Sequence, residues 1–363
     1  MSADAGNTKL VRVLVTDDSA FMRTAITRMI ESDPGLRVAG SAQSGQQALE
    51  KIAALKPDVV TLDVEMPGMD GLDTLRRIMK DFPTPVIMVS SLTQEGAEIT
   101  LEALDIGAFD YVPKQSSFVS LDIVKIRDDL VAKIKAAAES RRRKPIPKAA
   151  SSAAAPAGRN APQVTPVMVA LGTSTGGPKA LQEILPLLPA DLAVPVLIVQ
   201  HMPPGFTGPF ARRLNGICKI NVREAIQEEE IQPGVVYIAP AGQHMTVYRR
   251  SPSKTAIRLG RTPEGMLHVP SVDVMMLSAA EIYRSLTMGV IMTGMGADGV
   301  KGMQAIKREG GFNLGQDEAS CTVYGMPRSA AEVGVLHRVV PLLQIPEQIM
   351  QATHYKRAAH AGG

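Results

Sequence analysis

Two α/β domains joined by a linker are the architecture that this 363-residue sequence predicts. Three observations carry that expectation. Short apolar runs without polar alternation recur along both halves, as in strands buried on both faces of a parallel sheet. Segments with apolar residues at helical spacing separate them, the order of βαβ units. Between the halves, Arg141 to Pro166 reads RRRKPIPKAASSAAAPAGRNAPQVTP, a basic run followed by Ala, Ser and Pro with almost nothing to bury. Such a composition describes a flexible, partly extended linker. The expected divisions are a first domain over 10–130, a helix end and flexible linker over 131–165, and a second domain over 166–357.

In the first half, Val11–Val15 reads as the opening strand, and Met22, Ile26, Met29 and Ile30 then share one helical face. Ala48, Leu49, Ile52 and Leu55 mark a second helix; Val59–Leu62 and Val86–Val89 are further strands, and the last strand lies near Tyr111. Ile123, Ile126, Leu130 and Ile134 return to helical spacing and lead into the linker. A doubly wound, five-stranded, flavodoxin-like sheet is the natural reading. The second half repeats the logic with strands at Val167–Leu171, Val194–Val199, Val235–Ile238 and Met288–Met292. Leu181, Ile184 and Leu185, and later Val300 to Arg308, supply helical patterns. It too reads as α/β/α with a mainly parallel sheet, and no internal repeat links the halves.

Composition removes several function classes. The formal charge of +3 is too mild to argue for nucleic acid, and with no Trp and 4% aromatics there is little to stack on bases. Cys218 and Cys321 have neither metal-site nor disulfide-scaffold spacing, which suits a reducing compartment. The apolar runs fall far short of the ~20 residues that cross a bilayer, and no signal peptide is read at the N-terminus. A cytoplasmic monomer without direct membrane insertion is expected.

Chemistry enters at strand ends. Asp17 and Asp18 follow the first strand and Asp63 the third, so in an open α/β sheet these carboxylates converge on one crevice. Three hard oxygen ligands with room for water suit Mg²⁺. Ser90 adds a hydroxyl after the fourth strand, and Lys114 a cation after the fifth. This set, with Asp17-Asp18-Ser19 and Asp63-Val-Glu-Met-Pro-Gly-Met-Asp-Gly71, resembles the response-regulator receiver domain. The resemblance implies that Asp63 accepts a phosphoryl group from a histidine kinase, CheA in a chemotaxis pathway. It also implies that Asp17, Asp18, Asp63 and the Glu65 main-chain carbonyl hold Mg²⁺, and that Ser90 and Tyr111 report the phosphorylated state.

In the second half, Gly172-Thr-Ser174-Thr175-Gly176-Gly177-Pro178 opens a helix just after a strand. Free amides and the positive helix end would then lie near Ser174, as a nucleophile and its oxyanion require; a plain Gly-rich turn is the alternative. His201 follows the strand Val194–Val199, and Asp298 lies in Thr293-Gly-Met295-Gly-Ala-Asp298-Gly299. Serine, imidazole and carboxylate delivered by separate strands are a recurrent acyl-transfer solution. The chain order serine, histidine, acid is not that of the usual α/β-hydrolase. His244 is a second candidate for the pocket rim, and His268 and His337 sit near apolar strand segments. Gly294 to Gly299 also matches a dinucleotide fingerprint, but Asp298 would set a negative charge where a pyrophosphate should lie.

Taken together, these segments, with Gln200-His201-Met202-Pro203, resemble the chemotaxis protein-glutamate methylesterase family, CheB, over nearly the whole chain. The resemblance implies hydrolysis of glutamyl methyl esters on methyl-accepting chemotaxis receptors to glutamate and methanol, and deamidation of receptor glutamines. By position, Ser174 matches the nucleophile, His201 the general base and Asp298 its orienting acid; the Met295 amide matches an oxyanion donor, with Thr175 adjoining. The esterase chemistry needs no cofactor. It further implies that the unphosphorylated receiver covers the active-site face and that phosphorylation opens it. A DNA-binding output would need a short, basic helix-turn-helix domain, which is not read here. A scaffold without chemistry is the remaining rival.

Overall fold

The computed structural model describes residues 10–91, 93–114, 122–142 and 162–355. It divides into two compact units, Met1–Pro145 and Ile146–Gly363. In the first, strands β1 (Val11–Thr16), β2 (Leu36–Ala42), β3 (Val59–Asp63), β4 (Val86–Ser90) and β5 (Asp110–Pro113) form one sheet in the order β2-β1-β3-β4-β5, every pair parallel. Helices α1 (Ala20–Glu31), α2 (Gly45–Leu55), α3 (Gly71–Asp81), α4 (Gln94–Ile106) and α5 (Asp122–Arg142) alternate with them. Ser19, Ser44, Asp70 and Thr93 cap the first four helices, each side chain accepting a first-turn N–H that the helix leaves unpaired.

The expected domain edge at 130 falls inside α5. That helix continues because Ile134, Ala137 and Ala138 still bury against Val13, Val15, Ile87 and Val89 of the sheet. Ile134 is fully buried, so its truncation to Ala costs about 2–5 kcal/mol. Arg141, the start of the basic run, is anchored by donating from Nη1 to the Pro57 carbonyl at 2.6 Å. The linker read over 143–161 lies outside the described residues.

The second unit has a seven-stranded sheet in the order β14-β13-β12-β6-β7-β9-β8, again parallel at every pair. Its strands are β6 (Met168–Thr173), β7 (Val196–Gln200), β8 (Asn221–Glu224), β9 (Val235–Ile238), β12 (Thr287–Ile291), β13 (Phe312–Gln316) and β14 (Arg338–Val340). A separate antiparallel hairpin, β10 (His244–Ser251) with β11 (Lys254–Gly260), packs beside helix α8 (Val272–Tyr283). The other helices are α6 (Gly177–Ile184), α7 (Thr207–Ile217), α9 (Val300–Arg308), α10 (Met326–Glu332) and α11 (Ile345–Ala352). All six residues of β6 are buried, as a central strand with helices on both faces requires.

Both sheets share one property that places chemistry. From β1 the chain builds outward to β2 on one side and β3 on the other; from β6 it builds to β7 on one side and β12 on the other. At such a switch point the loops after neighbouring strands part and leave a crevice at the carboxyl ends. Among the described residues, no helix is long and apolar enough to cross a membrane.

Candidate active site

In the first unit, Asp17 follows β1 and Asp63 ends β3, the two strands that flank the switch point, and both are buried; Asp18 is exposed. Their carboxylate oxygens, one from each acid, lie within 4.8 Å of one another. Lys114 Nζ pairs with Asp63 Oδ2 at 2.5 Å and Asp17 Oδ2 at 3.1 Å. Burial, opposed by the Lys114 hydrogen bond but reinforced by the Asp17 charge, raises the Asp63 pKa to about 6. Converging hard oxygens of this kind fit Mg²⁺. An open cavity of about 450 Å³ adjoins them, lined in part by Asp18, Glu65, Met66 and Asp70. The Glu65 N–H donates to Asp63 Oδ1 at 3.1 Å. The Ser90 hydroxyl donates to the Gly96 carbonyl of α4 at 3.2 Å. Tyr111 is buried, with Lys133 Nζ 5.4 Å from its ring centre.

In the second unit, Ser174 follows β6, His201 follows β7, and Asp298 lies in the loop after β12, on three adjacent strands. The backbone around Ser174 is tied at three points. Its N–H donates to Thr293 O at 3.0 Å, and its carbonyl accepts from Gly177 N at 2.8 Å and Gln200 Nε2 at 3.0 Å. The His201 N–H donates to Thr173 O at 3.2 Å, fixing the two loops edge to edge.

His201 Nε2 meets Asp298 Oδ2 at 2.8 Å. The other imidazole nitrogen, Nδ1, is buried and has no hydrogen-bond partner among the described residues. With Asp298 accepting from Nε2–H, the lone pair sits on Nδ1, where it can take up a proton. Among the described residues the Ser174 hydroxyl makes no hydrogen bond; catalytic contacts of this kind commonly tighten only with substrate in place. The N–H groups of Thr175 and Met295 likewise have no protein acceptor among the described residues, as oxyanion donors require.

Asp298 is held as firmly as its partner. Oδ1 accepts from Ser271 Oγ at 2.8 Å and Asp273 N at 2.9 Å, and Oδ2 also accepts from Val272 N at 2.7 Å. Burial alone would raise its pKa. The His201 hydrogen bond and charge, with the Asp273 and Val272 amides, outweigh burial and hold it well below the carboxylate range. Asp298 directly precedes the α9 cap Gly299, but its carboxylate accepts from the N-terminus of α8, and the Gly294–Gly299 loop is not a pyrophosphate cradle.

The second unit matches the CheB methylesterase model over residues 169–349, and the first matches the response regulator receiver domain over residues 13–123. A protein-glutamate methylesterase/protein-glutamine glutaminase of Pyrococcus horikoshii is 46% identical over 96% of this chain and 95% of its own length. One of the same name from Halalkalibacterium halodurans is 47% identical, over 94% of this chain and 98% of its own. The chain belongs to the CheB methylesterase family.

The CheB methylesterase catalytic domain of Thermotoga maritima, a crystal structure, is 41% identical and superposes with a TM-score of 0.50, covering 52% of this chain and 99% of that one. Within this family frame, the structure adds residues that local sequence patterns leave unmarked. His268 stacks on His201, ring centres 4.0 Å apart and planes 13° from parallel; nothing near it in sequence signals that contact. Ser271, Val272 and Asp273 supply donors to Asp298, and Ser271 before an apolar run is a helix-cap signal. His244 stands behind the site: it is buried, and its Nδ1 accepts the Ser271 N–H at 3.1 Å. His337 accepts the Asn313 N–H at 2.9 Å and packs on Phe312.

Proposed function

We propose that this chain is a phosphorylation-activated hydrolase that removes methyl groups from glutamyl methyl esters of chemotaxis receptors and deamidates receptor glutamines. One observation carries the reading. Three adjacent strands present Ser174, His201 and Asp298 at a switch point, with His201 Nε2 taken by the acid and Nδ1 left as base.

The reaction follows from that geometry. His201 Nδ1 takes the Ser174 proton, Oγ attacks the ester carbonyl, and the Thr175 and Met295 amides stabilise the oxyanion. The imidazolium, stabilised by Asp298, returns the proton to methoxide, and methanol leaves the acyl-serine. Water, deprotonated by the same nitrogen, then releases the γ-carboxylate. With a glutamine side chain the leaving group is ammonia and the product is the same.

Control comes from the first unit. Asp63 accepts a phosphoryl group from a histidine kinase of the CheA type, and Lys114 offsets charge on the incoming oxygens. Asp17, Asp18, Asp63 and the Glu65 carbonyl would hold Mg²⁺, which, when bound, neutralises charge on the transferring group. Ser90 and Tyr111 serve as the groups that read the new charge. The enzyme works in the cytoplasm, where receptor signalling ends and kinase are found.

The test is methanol release from methylated receptor membranes by the wild type and Ser174→Ala, with and without a small phosphodonor plus Mg²⁺. Release that needs Ser174 and rises with phosphodonor is the expected result. Equal release by Ser174→Ala would refute the reading.

A further inference from the structure

The carboxylate of Asp273 takes no part in the reaction above, yet it is 7% exposed in the interior of the second unit. Its Oδ1 accepts the N–H of Gly299 and of Gly302, each at 2.9 Å, at the start of α9. Asp298, the residue before Gly299, does the reverse at the start of α8, accepting the N–H of Val272 at 2.7 Å and of Asp273 at 2.9 Å. The acid that caps each helix therefore comes from the start of the other, Asp273 from the first turn of α8 and Asp298 from just before α9.

One carboxylate at a helix start is an ordinary complement to unpaired amides and the helix dipole. Two crossed carboxylates do more. The α8 start and the segment entering α9 are locked in register, because a slide or rotation of either breaks charge-assisted hydrogen bonds on both. The helices are also in close approach: a Cβ on Gly302 would lie 2.4 Å from Met276 Cβ. The locked segment, Gly294 to Gly299, carries both Met295 and Asp298.

We infer that Asp273 is a positioning residue for catalysis: by capping α9 from α8 it fixes the segment that presents Asp298 to His201 and the Met295 amide to the substrate. This rests on the Ser174–His201–Asp298 reading. Asp273 touches no reacting atom; it acts through the backbone of Gly299 and Gly302.

The experiment uses the full chain and the methanol-release assay, with rates expressed per folded molecule from near-ultraviolet circular dichroism. Asp273→Ala, which removes the oxygen that accepts from both amides, should lose about 10–100-fold in kcat with KM changed less than about twofold, since a misplaced catalytic group is felt mainly in the transition state. Asp273→Asn keeps an acceptor for the two amides and should recover at least a tenth of the wild-type rate with KM unchanged.

Wild-type kcat in folded Asp273→Ala overturns the inference, as does a loss confined to KM, or Asp273→Asn being impaired as badly as Asp273→Ala. If Asp273→Ala does not fold, Asp273→Ser, too short to span both amides, replaces it. Should that also be unfolded, Asp273 belongs to the fold alone and the positioning role falls. Ser174→Ala run alongside separates the two levels: if it is inactive while Asp273→Ala is not, only the present inference fails. If it is active, the catalytic reading fails first.

Discussion

A single methyl group added 120 residues away from Ser174 should disable it. Gly294 follows β12 and abuts the serine loop: a Cβ there would lie 2.8 Å from Ser174 Cβ, 3.0 Å from Ser174 N and 2.3 Å from Met326 Sδ. Ordinary contact begins near 3.4 Å, so in Gly294→Ala the Ser174 Cβ must retreat by about 0.6 Å. Its backbone cannot yield freely, because its N–H and carbonyl are tied to Thr293, Gly177 and Gln200. Met326 is fully buried and has little room to swing. Overpacking of this kind costs about 1–3 kcal/mol of stability. A displacement of about 1 Å at a reacting atom costs ~100-fold, so roughly 10–100-fold in kcat is expected here. The assay is methanol release from methylated receptor membranes, beside thermal midpoints. Gly334→Ala is the control: Gly334 has φ +68° with nothing within 4 Å of the added carbon, so it should lose about 1–2 kcal/mol to backbone strain and keep its rate. If Gly294→Ala works within threefold of wild type while losing the same stability as Gly334→Ala, the argument that its backbone fixes the nucleophile is wrong.

Other expectations are equally concrete. Asp298→Asn should lower kcat by roughly three to four orders of magnitude, as loss of the orienting acid does in serine hydrolases. Its stability should also change with pH. The folded pKa of Asp298 lies below the unfolded value of about 3.9, so its stabilisation is present above that value and lost as pH falls through the folded one. Thermal midpoints of wild type and Asp298→Asn should therefore lie far apart at pH 7 and converge in acid; a constant gap from pH 7 to the acid limit would count against this. His268→Ala removes a stacked ring worth about 0.5–1.5 kcal/mol and should slow the reaction ~2–13-fold, with His268→Phe closer to wild type in the same kinetic assay. Asp63→Asn, or chelation of Mg²⁺ by EDTA, should abolish phosphoryl labelling by a small phosphodonor. EDTA should leave the unstimulated, Ser174-dependent methanol release unchanged; inhibition there would point to a metal in the esterase step.

Much of this was legible in the sequence because the relevant residues sit at strand ends and strands buried on both faces announce themselves. The strand ends bring Asp17, Asp18 and Asp63 together, with Lys114 paired to Asp63 and Asp17, and they bring His201 to Asp298. Helix α8 was not legible: Val272, Asp273, Val274, Met275 and Met276 are all buried, so its first turns show no single apolar stripe. The edge strand β14 is only three residues long, and β8 alternates buried with exposed positions too briefly to stand out. The apolar pattern of Ile123, Ile126, Leu130 and Ile134 ends before the helix does, because Ala137 and Ala138 keep α5 against the sheet with small side chains that carry little signal. His268 reaches His201 only through tertiary packing, as does the crossed capping of α8 and α9.

The crowding around Asp298 has a further meaning for the reaction itself. A carboxylate offers about four acceptor positions, and here Ser271, Val272, Asp273 and His201 occupy one each. No lone pair is left for a solvent molecule or for a second proton. In the proposed reaction the acid is therefore a fixed field and not a relay station, and protons in flight would be confined to the serine, Nδ1 and the departing or arriving oxygen. Turnover in mixtures of light and heavy water should accordingly report a single moving hydrogen.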